Sequence, residues 1–268
     1  MSAAPPSPPT GGRLPALFIG HGSPMNALAD NDYTRALVSK ARELPRPRAI
    51  LCISAHWYTR GTGVTAMHRP RTIHDFGGFP QALFDMQYPA PGNPELAARV
   101  EALLAPWPVT ADQGWGLDHG AWQVLVHLYP RADVPVVQLS LDATQPARVH
   151  YDLGRRLLPL RDQGILVLGS GNIVHNLRTI DRREDAPVQA WAEGFGGAVR
   201  AALAARDHDR LIDFATLHPE AARAVPTPDH YLPMLYILGM QQPDEEIRVF
   251  TQGFQYGSLD MTSFAISG

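Results

Sequence analysis

The chain has little cysteine, little charge and no long apolar run, and each shortage excludes a class of protein. A single cysteine, Cys52, among 268 residues rules out an intramolecular disulfide and every multi-cysteine metal motif. Cys52 lies in the apolar run at 49–55, so we expect it to be a small buried side chain. No apolar stretch approaches the roughly 18 residues that a membrane span needs.

The charge balance gives no support for a polyanionic partner. Charged residues make up 18% of the chain, and 23 basic against 26 acidic side chains leave a net charge of −3. Without a basic run, binding of nucleic acid or of an anionic membrane has no electrostatic basis. Four prolines in the first ten residues predict a flexible tail over 1–13 rather than an export signal. We expect a soluble, cytoplasmic monomer or small homo-oligomer.

Short apolar runs alternate with stretches of helical spacing, which is typical of an α/β fold with a mainly parallel sheet. The runs predict strands at 15–20, 49–55, 134–141, 165–169 and, more weakly, 247–250. Helical spacing predicts helices at 93–105, 120–128, 145–160 and 188–214, with a break in the last near Gly194–Gly197. No linker separates two cores, so we expect a single domain over 14–268.

Residues 61–92 do not fit this alternation. The segment is dense in proline, glycine and aromatic residues and is too long for an ordinary connection. Long irregular segments in compact domains often cover a ligand site. We therefore predict that 61–92 is an active-site loop.

Three of the 11 histidines stand where predicted strands end. His21 follows PALFIG, His56 follows AILCISA, and His175 closes ILVLGSGNIVH. Open α/β sheets place their ligand sites at the carboxyl ends of strands. Neutral imidazole is a good ligand for Zn(II) and Fe(II). The pattern therefore predicts a mononuclear metal site.

Further candidates surround this group. His119 lies beside Asp118 in WGLDHGAW, His230 lies in VPTPDHYLP, and His74 lies in the loop 61–92. We take His119, His74 and Asp118 as candidate substrate-binding residues. Structural or surface roles are expected for the remaining histidines of helical or polar stretches, which are His127, His150, His208 and His218.

Two other chemistries lack their motifs. The chain has no G-x-S-x-G elbow, and Ser170 in LGSGN is the nearest approach to a hydrolase nucleophile. The same GSGN run lacks both the Walker lysine and the full dinucleotide fingerprint. Metal chemistry is therefore the better interpretation of the histidines.

The strings that carry these residues resemble a known family. In chain order they are ALFIGHGSPMNAL, ISAHWYT, IHDFGGFP, YPAPGNPELA, GLDHGAWQVL, LGSGNIVHNLR, TPDHYLPMLYILG and GSLDMTSF. They resemble the 4,5-DOPA extradiol dioxygenases, the DODA-type branch of the class III, LigB-like ring-cleaving dioxygenases. The resemblance extends from Leu14 to Phe264, and it implies one three-layer α/β/α domain around a central, mainly parallel or mixed sheet.

By the same resemblance, the site residues acquire roles. His21, His56 and His230 match the metal-binding positions of the family, and His175 lies close to the metal and is sometimes counted as a fourth ligand. His119 matches an active-site histidine, so His175 and His119 are the catalytic candidates. The substrates would be a catechol such as DOPA, cleaved at the 4,5 bond, and O2.

The metal itself is left open by the residues. Wider class III dioxygenases hold Fe(II) with two histidines and a carboxylate. Here His230 stands at the carboxylate position, and three histidines with a water also suit Zn(II). We expect Fe(II) in catalysis, while purified protein can carry Zn(II). Two alternatives follow, a zinc-dependent hydrolase in the same pocket and a Memo-like binding protein without enzymatic activity.

Overall fold

The computed structural model describes residues 12–183 and 185–268. Residues 1–11 of the predicted tail lie outside the described residues. At the end of that predicted tail, Arg13 is ion-paired with Asp162 at 2.8 Å. The backbone amide of Leu14 then donates to the carbonyl of Arg161, so the chain is fixed to the domain from this point.

The described residues form ten strands. They are β1 (Ala16–Gly20), β2 (Ala49–Thr59), β3 (Thr62–Thr65), β4 (Val109–Asp112), β5 (Val136–Asp142), β6 (Ile165–Gly171), β7 (Glu246–Thr251), β8 (Phe254–Gln255), β9 (Leu259–Asp260) and β10 (Ser263–Ser267). Every predicted strand is present, and β2 is longer than its apolar core because it continues to Thr59.

The helices of the described residues follow in chain order. They are α1 (Asp32–Glu43), α2 (Gln81–Phe84), α3 (Pro94–Leu104), α4 (His119–Leu128), α5 (Ala147–Leu157), α6 (Pro159–Asp162), α7 (Ala190–Ala204), α8 (His208–Ile212), α9 (Phe214–Leu217), α10 (Ala221–Ala224) and α11 (Leu232–Gly239). Two short 3-10 helices cover Pro24–Ala27 and Pro228–His230. None of the helices in the described ranges has both the length and the apolar character to cross a bilayer.

Eight of the described strands form one mixed sheet in the order β4-β3-β5-β2-β6-β1-β10-β7. The central strands β5, β2, β6 and β1 are parallel to one another. The strands β10 and β7 add to β1 in antiparallel orientation. This confirms the predicted α/β class with a mainly parallel or mixed sheet.

The sheet is covered on both faces, which makes the domain three-layered. Alternate side chains of β1 divide between two hydrophobic clusters, with Phe18 in one and Leu17 in the other. The first cluster includes Leu96, Val199 and Leu235 from α3, α7 and α11. The second includes Leu37 and Trp122 from α1 and α4, and it contains Cys52, which is buried as expected.

One segment is more ordered than expected, and one local prediction is wrong. The segment 61–92 is not entirely irregular, because Thr62–Thr65 forms β3 and pairs with β4 and β5. The helix α7 is not broken near Gly194–Gly197; it runs through them and ends at Ala204. Glycine is needed there for space, since a Cβ on Gly194 would lie 2.9 Å from the His218 ring.

Candidate metal centre and active site

The carboxyl ends of β1, β2 and β6 lie side by side and build the floor of a cavity. Gly20 and Gly171 are register partners at the ends of β1 and β6, and the amide of His21 donates to the carbonyl of Gly171 at 2.9 Å. His21 thus stands at a strand end, as predicted. His56 does not follow its strand but lies within β2, where the pairing with β5 shifts between Ile53 and Tyr58. Such a bulge redirects side chains, which brings His56 to the same edge.

The third member of the group comes from outside the sheet. His230 ends the 3-10 helix Pro228–His230, whose backbone packs directly against Gly171. Any side chain at position 171 would collide with the carbonyl of His230, so glycine is required for this approach. Nitrogen atoms of His21, His56 and His230 all lie within 4.8 Å of one another.

The orientation of His21 is fixed by Ser170. The Ser170 hydroxyl donates to the carbonyl of Gly120 at 2.6 Å, so its oxygen is left to accept from Nδ1 of His21 at 3.0 Å. A neutral His21 therefore carries its proton on Nδ1. Its Nε2 lone pair points into the cluster, 3.2 Å from Nε2 of His56.

Carboxylates fix the other two rings in the same sense. Nδ1 of His56 lies 3.4 Å from Oδ2 of Asp75, and Nδ1 of His230 is hydrogen-bonded to Asp229. The hydrogen bond to Asp229 selects the tautomer of His230 with the proton on Nδ1, while Asp75 lies near the same atom of His56. Nε2 of His230 is buried and has no hydrogen-bond partner within the described ranges. These tautomers leave the Nε2 lone pairs of His21 and His230 available to a shared ligand.

This arrangement fits one divalent metal ion. Two ligands about 2.1 Å from a common ion, at octahedral to tetrahedral angles, lie about 3.0–3.4 Å apart. The 3.2 Å between Nε2 of His21 and Nε2 of His56 is within that range. The orphaned Nε2 of His230 is the buried polar atom that an ion would satisfy.

Burial keeps the ligands in the form that binds a metal. Desolvation, followed by the neighbouring histidines, lowers the pKa of His21 and of His56 well below the ordinary value. Desolvation alone would raise the pKa of Asp229, but hydrogen bonding to His230 outweighs it and lowers that pKa. Near pH 7 His21 and His56 are therefore neutral imidazoles, and Asp229 is an ionised carboxylate.

His175 lies beside the cluster rather than within it. Its ring stacks on that of His230, with centroids 3.4 Å apart and planes inclined by 5°. A nitrogen of His175 lies within 4.8 Å of ligand atoms of Asp229 and His230, but His175 is not part of the group formed by His21, His56 and His230. Desolvation, with a smaller effect of His230, lowers the pKa of His175 to about 2. The ring is therefore neutral near pH 7.

His119 approaches from the opposite side. It is the first residue of α4, whose N-cap Asp118 accepts from the amide of Ala121. Nδ1 of His119 lies 2.9 Å from Oδ1 of Asp75, and the His119 amide donates to the same oxygen at 2.9 Å. The rings of His56 and His119 have centroids 3.8 Å apart. Asp75 thus contacts a ligand candidate and an active-site histidine together.

These histidines open into one cavity of about 580 Å³. Its walls are mainly apolar and come from the 3-10 helix at 24–27, the segment 75–80 and the loop after His175. Phe76, Phe79, Leu177, Ile180 and Leu259 line it. A cavity of this size, apolar with a few converging polar groups, is typical of a small-molecule site.

Two candidate substrate contacts lie outside this lining. Nε2 of His74 donates to the carbonyl of Met86 at 2.9 Å, and the ring packs against Trp122. Asp118 is fully buried behind the cavity, where Ser54 and Gln138 donate to it at 2.7 Å each. Desolvation and the charge of Asp75 raise the pKa of Asp118. The geometry gives both residues supporting positions and does not support direct substrate contact.

Three charged side chains at or behind the cavity were not predicted from the sequence. Asp75 and Asp229 each adjoin a histidine in the sequence, in IHDFGG and TPDHY, and this adjacency was the available signal. Arg182 is the third and lines the cavity. Nothing in the local sequence distinguishes Arg182 from its neighbours.

Comparison with known proteins identifies the class that this fold and site define. Residues 15–265 match the family described as the catalytic LigB subunit of aromatic ring-opening dioxygenase. The chain belongs to this family and is an extradiol aromatic ring-opening dioxygenase.

Individual relatives extend the comparison along the chain. It is 52% identical over 258 residues to the 4,5-DOPA dioxygenase extradiol of Escherichia coli K12, covering 95% of both chains. It is 37% identical over 257 residues to the 4,5-DOPA dioxygenase extradiol of Beta vulgaris, covering 92% of this chain and 96% of that one. The crystal structure of an uncharacterised protein from Escherichia coli K12 matches with a TM-score of 0.84 at 47% identity. The match covers 95% of this chain and 100% of that chain.

Proposed function

We propose that this dioxygenase cleaves the ring of a catechol such as DOPA beside its two hydroxyls, with Fe(II) held by His21, His56 and His230. The observation that carries the proposal is the convergence of three imidazole nitrogens on the floor of a mainly apolar cavity. Bound Fe(II) would supply a Lewis-acidic, redox-active centre at which a catechol and O2 meet. In the overall reaction one ring C–C bond breaks, and both oxygen atoms enter the open-chain product.

His175 is the proton acceptor in this proposal. A catechol becomes a much stronger electron donor towards O2 once one of its hydroxyls has lost a proton. His175 is neutral, lines the cavity and stacks on the ligand candidate His230, so its ring is held in place. The same ring can return the proton to the product, as a general acid.

In this proposal His119 orients the catechol from the side of the cavity opposite His175. Nδ1 of its ring lies 2.9 Å from Oδ1 of Asp75, and the residue lines the cavity. From there the ring orients a substrate hydroxyl by a hydrogen bond. Asp75 also carries a negative charge, since hydrogen bonding to His119 lowers its pKa in spite of desolvation.

Imidazole ligands bring no negative charge to a divalent ion, so the carboxylates behind them supply it. Asp75 and Asp229 each reach the Nδ1 side of a ligand candidate. Two negative charges one ring away from the ion balance its double positive charge. The same donor set suits Zn(II), so we propose Fe(II) as the catalytic metal and Zn(II) as a competitor.

The test is anaerobic loading with Fe(II), followed by oxygen uptake and visible absorbance in the presence of DOPA and simple catechols. We expect one O2 consumed per catechol, a new absorbance from the ring-opened product, and neither with Zn(II). Uptake of no oxygen by protein with one bound Fe(II) would overturn the proposal. A hydrolase or a binding protein would leave the catechol ring and the oxygen untouched.

A further inference from the structure

The charged groups of the cavity are unequally engaged. Besides histidines, the charged side chains that line it among the described residues are Asp75 and Arg182. Both oxygens of Asp75 already face rings, with Oδ1 beside His119 and Oδ2 beside His56. The cation of Arg182 is therefore the charge that remains for a bound molecule.

Arg182 lies on the wall that follows His175. Leu177 and Ile180 line the cavity from the same loop, and Arg182 is exposed at its rim. Across residues 12–183 and 185–268, no carboxylate lies within 4.0 Å of the Arg182 guanidinium. The next residue differs, because Arg183 is paired with Asp181 at 2.6 Å and does not line the cavity.

We infer that Arg182 selects catechols that carry a carboxylate on a short side chain, an inference that rests on the proposed function. With both hydroxyls directed to the histidine floor, a substituent on the far side of the ring points to the rim. A guanidinium there matches a carboxylate through two parallel N–H···O bonds. The apolar wall between, which includes Phe79 and Ile180, covers the ring and its linker.

Among the described lining residues, no carboxylate is left to pair with an ammonium group of a substrate. Asp75 is the sole acidic residue among the described lining residues, and it is engaged by His119 and His56. The α-ammonium of an amino acid such as DOPA would thus gain no ionic partner. Recognition extends to the carboxylate of a substrate, while its amino group is dispensable.

Cavity size supports a substituted ring. A volume of about 580 Å³ is well within the range of about 300–1,000 Å³ of small-molecule sites. A bare catechol would fill only part of it. A side chain of two or three carbons carries a carboxylate from the floor towards the rim, where Arg182 lies.

Four catechols separate the contributions of the two charged groups. DOPA has both, 3-(3,4-dihydroxyphenyl)propionate has only the carboxylate, dopamine has only the ammonium, and 4-ethylcatechol has neither. We expect kcat/KM of Fe(II)-loaded protein to be similar for the first two. For dopamine and 4-ethylcatechol it should be about tenfold lower, the loss of one partly exposed ion pair of about 1.4 kcal/mol.

Variants assign that preference to one side chain. Arg182→Met should remove the tenfold difference between the propionate and 4-ethylcatechol, and Arg182→Lys should restore part of it. Arg183→Met is the matched control, since it removes an adjacent exposed arginine that does not line the cavity. Anaerobic calorimetry with Zn(II)-loaded protein measures the same preference as Kd, without turnover.

Three results would overturn the inference. They are equal kcat/KM for the propionate and 4-ethylcatechol, a preference that survives Arg182→Met, and a preference lost equally in Arg183→Met. In each of these cases oxygen uptake with catechols continues, so the proposed function stands. If no catechol drives oxygen uptake but the Kd preference still depends on Arg182, the proposed function fails while the binding role of Arg182 remains.

Discussion

Asp75 and His119 contact each other twice, through the backbone amide and through Nδ1 of the ring, each at 2.9 Å from the same carboxylate oxygen. The other oxygen of Asp75 faces His56. One carboxylate on the segment 75–80 therefore fixes the start of α4, the ring of His119 and the ring of a ligand candidate.

Asp75→Asn should weaken both metal retention and turnover. The amide keeps the shape but has no negative charge, and only one of its two polar atoms can accept. Loss of a carboxylate behind a ligand histidine typically costs about 10–100-fold in metal affinity or activity. Metal content by mass spectrometry after dialysis measures the first effect. Asp32→Asn, at a fully exposed side chain, is the control, and equal metal content in both variants would contradict the assignment.

His21→Ala and His175→Ala should separate binding from chemistry. The first removes one of the three converging nitrogens, so we expect loss of the metal. The second removes a side chain outside that set, so we expect the metal to stay while kcat falls by about 10²–10⁴-fold. Bound iron and single-turnover rates are the measurements. A His175→Ala protein without metal would instead make His175 a ligand.

The sequence located part of this centre and missed the rest for definable reasons. His21 and His56 follow apolar runs, and parallel strands bring such positions to one edge of a sheet. His230 lies outside the sheet and reaches the site through the packing of a 3-10 helix on Gly171, a contact that periodicity does not encode. It was assigned through resemblance alone.

The fold, too, was predictable from the sequence only in part. Strands buried on both faces are visible as continuous apolar runs, and all five predicted runs became strands. β10 was missed because SFAIS is short and half polar, although it lies beside β1. Asp118 was taken as a substrate-binding candidate because it precedes His119 in the sequence. In the structure its carboxylate caps α4 instead.

Removal of Arg161 should be strongly destabilising. Its side chain is fully buried, is paired with Glu245 at 2.5 Å, and donates to the carbonyls of Leu14, Met240 and Ile266. Arg161→Met leaves a buried carboxylate without its partner, so we expect the free energy of unfolding to fall by about 3–5 kcal/mol. Urea unfolding measures the change.

Two further variants check this explanation. Arg35→Met breaks an exposed pair with Asp30 and should cost at most about 1 kcal/mol. The double variant Arg161→Met/Glu245→Leu removes the stranded charge and should recover much of the loss. If the double variant were as unstable as Arg161→Met, the lost backbone contacts would account for the effect instead of the charge.

His150 should make stability depend on pH. It is fully buried in α5, and desolvation lowers its pKa to about 4, against about 6.5 in the unfolded chain. Above about pH 6.5 both states are neutral at this residue and its contribution is complete. As the pH falls from about 6.5 to 4, the unfolded state gains a proton first, so stability is lost by up to about 1.4 kcal/mol per pH unit.

His150→Gln tests this dependence because glutamine does not titrate. Unfolding free energies of wild type and variant should differ most near pH 7.5 and converge towards pH 5. The other buried histidines are present in both proteins, so their effects cancel in the difference. A difference that stays constant across this range would mean that His150 does not gain its proton on unfolding.

The position of β10 has a consequence for biosynthesis. β1 is enclosed between β6 and β10, so the strand that carries His21 gains one of its two neighbours only from residues 263–267. Residues 260–262 also press against Gly20, immediately before that histidine. Translation must therefore pass residues 263–267 before the histidine floor can close. We expect the ion to be acquired after translation, and nascent chains stalled before residue 263 to hold it poorly.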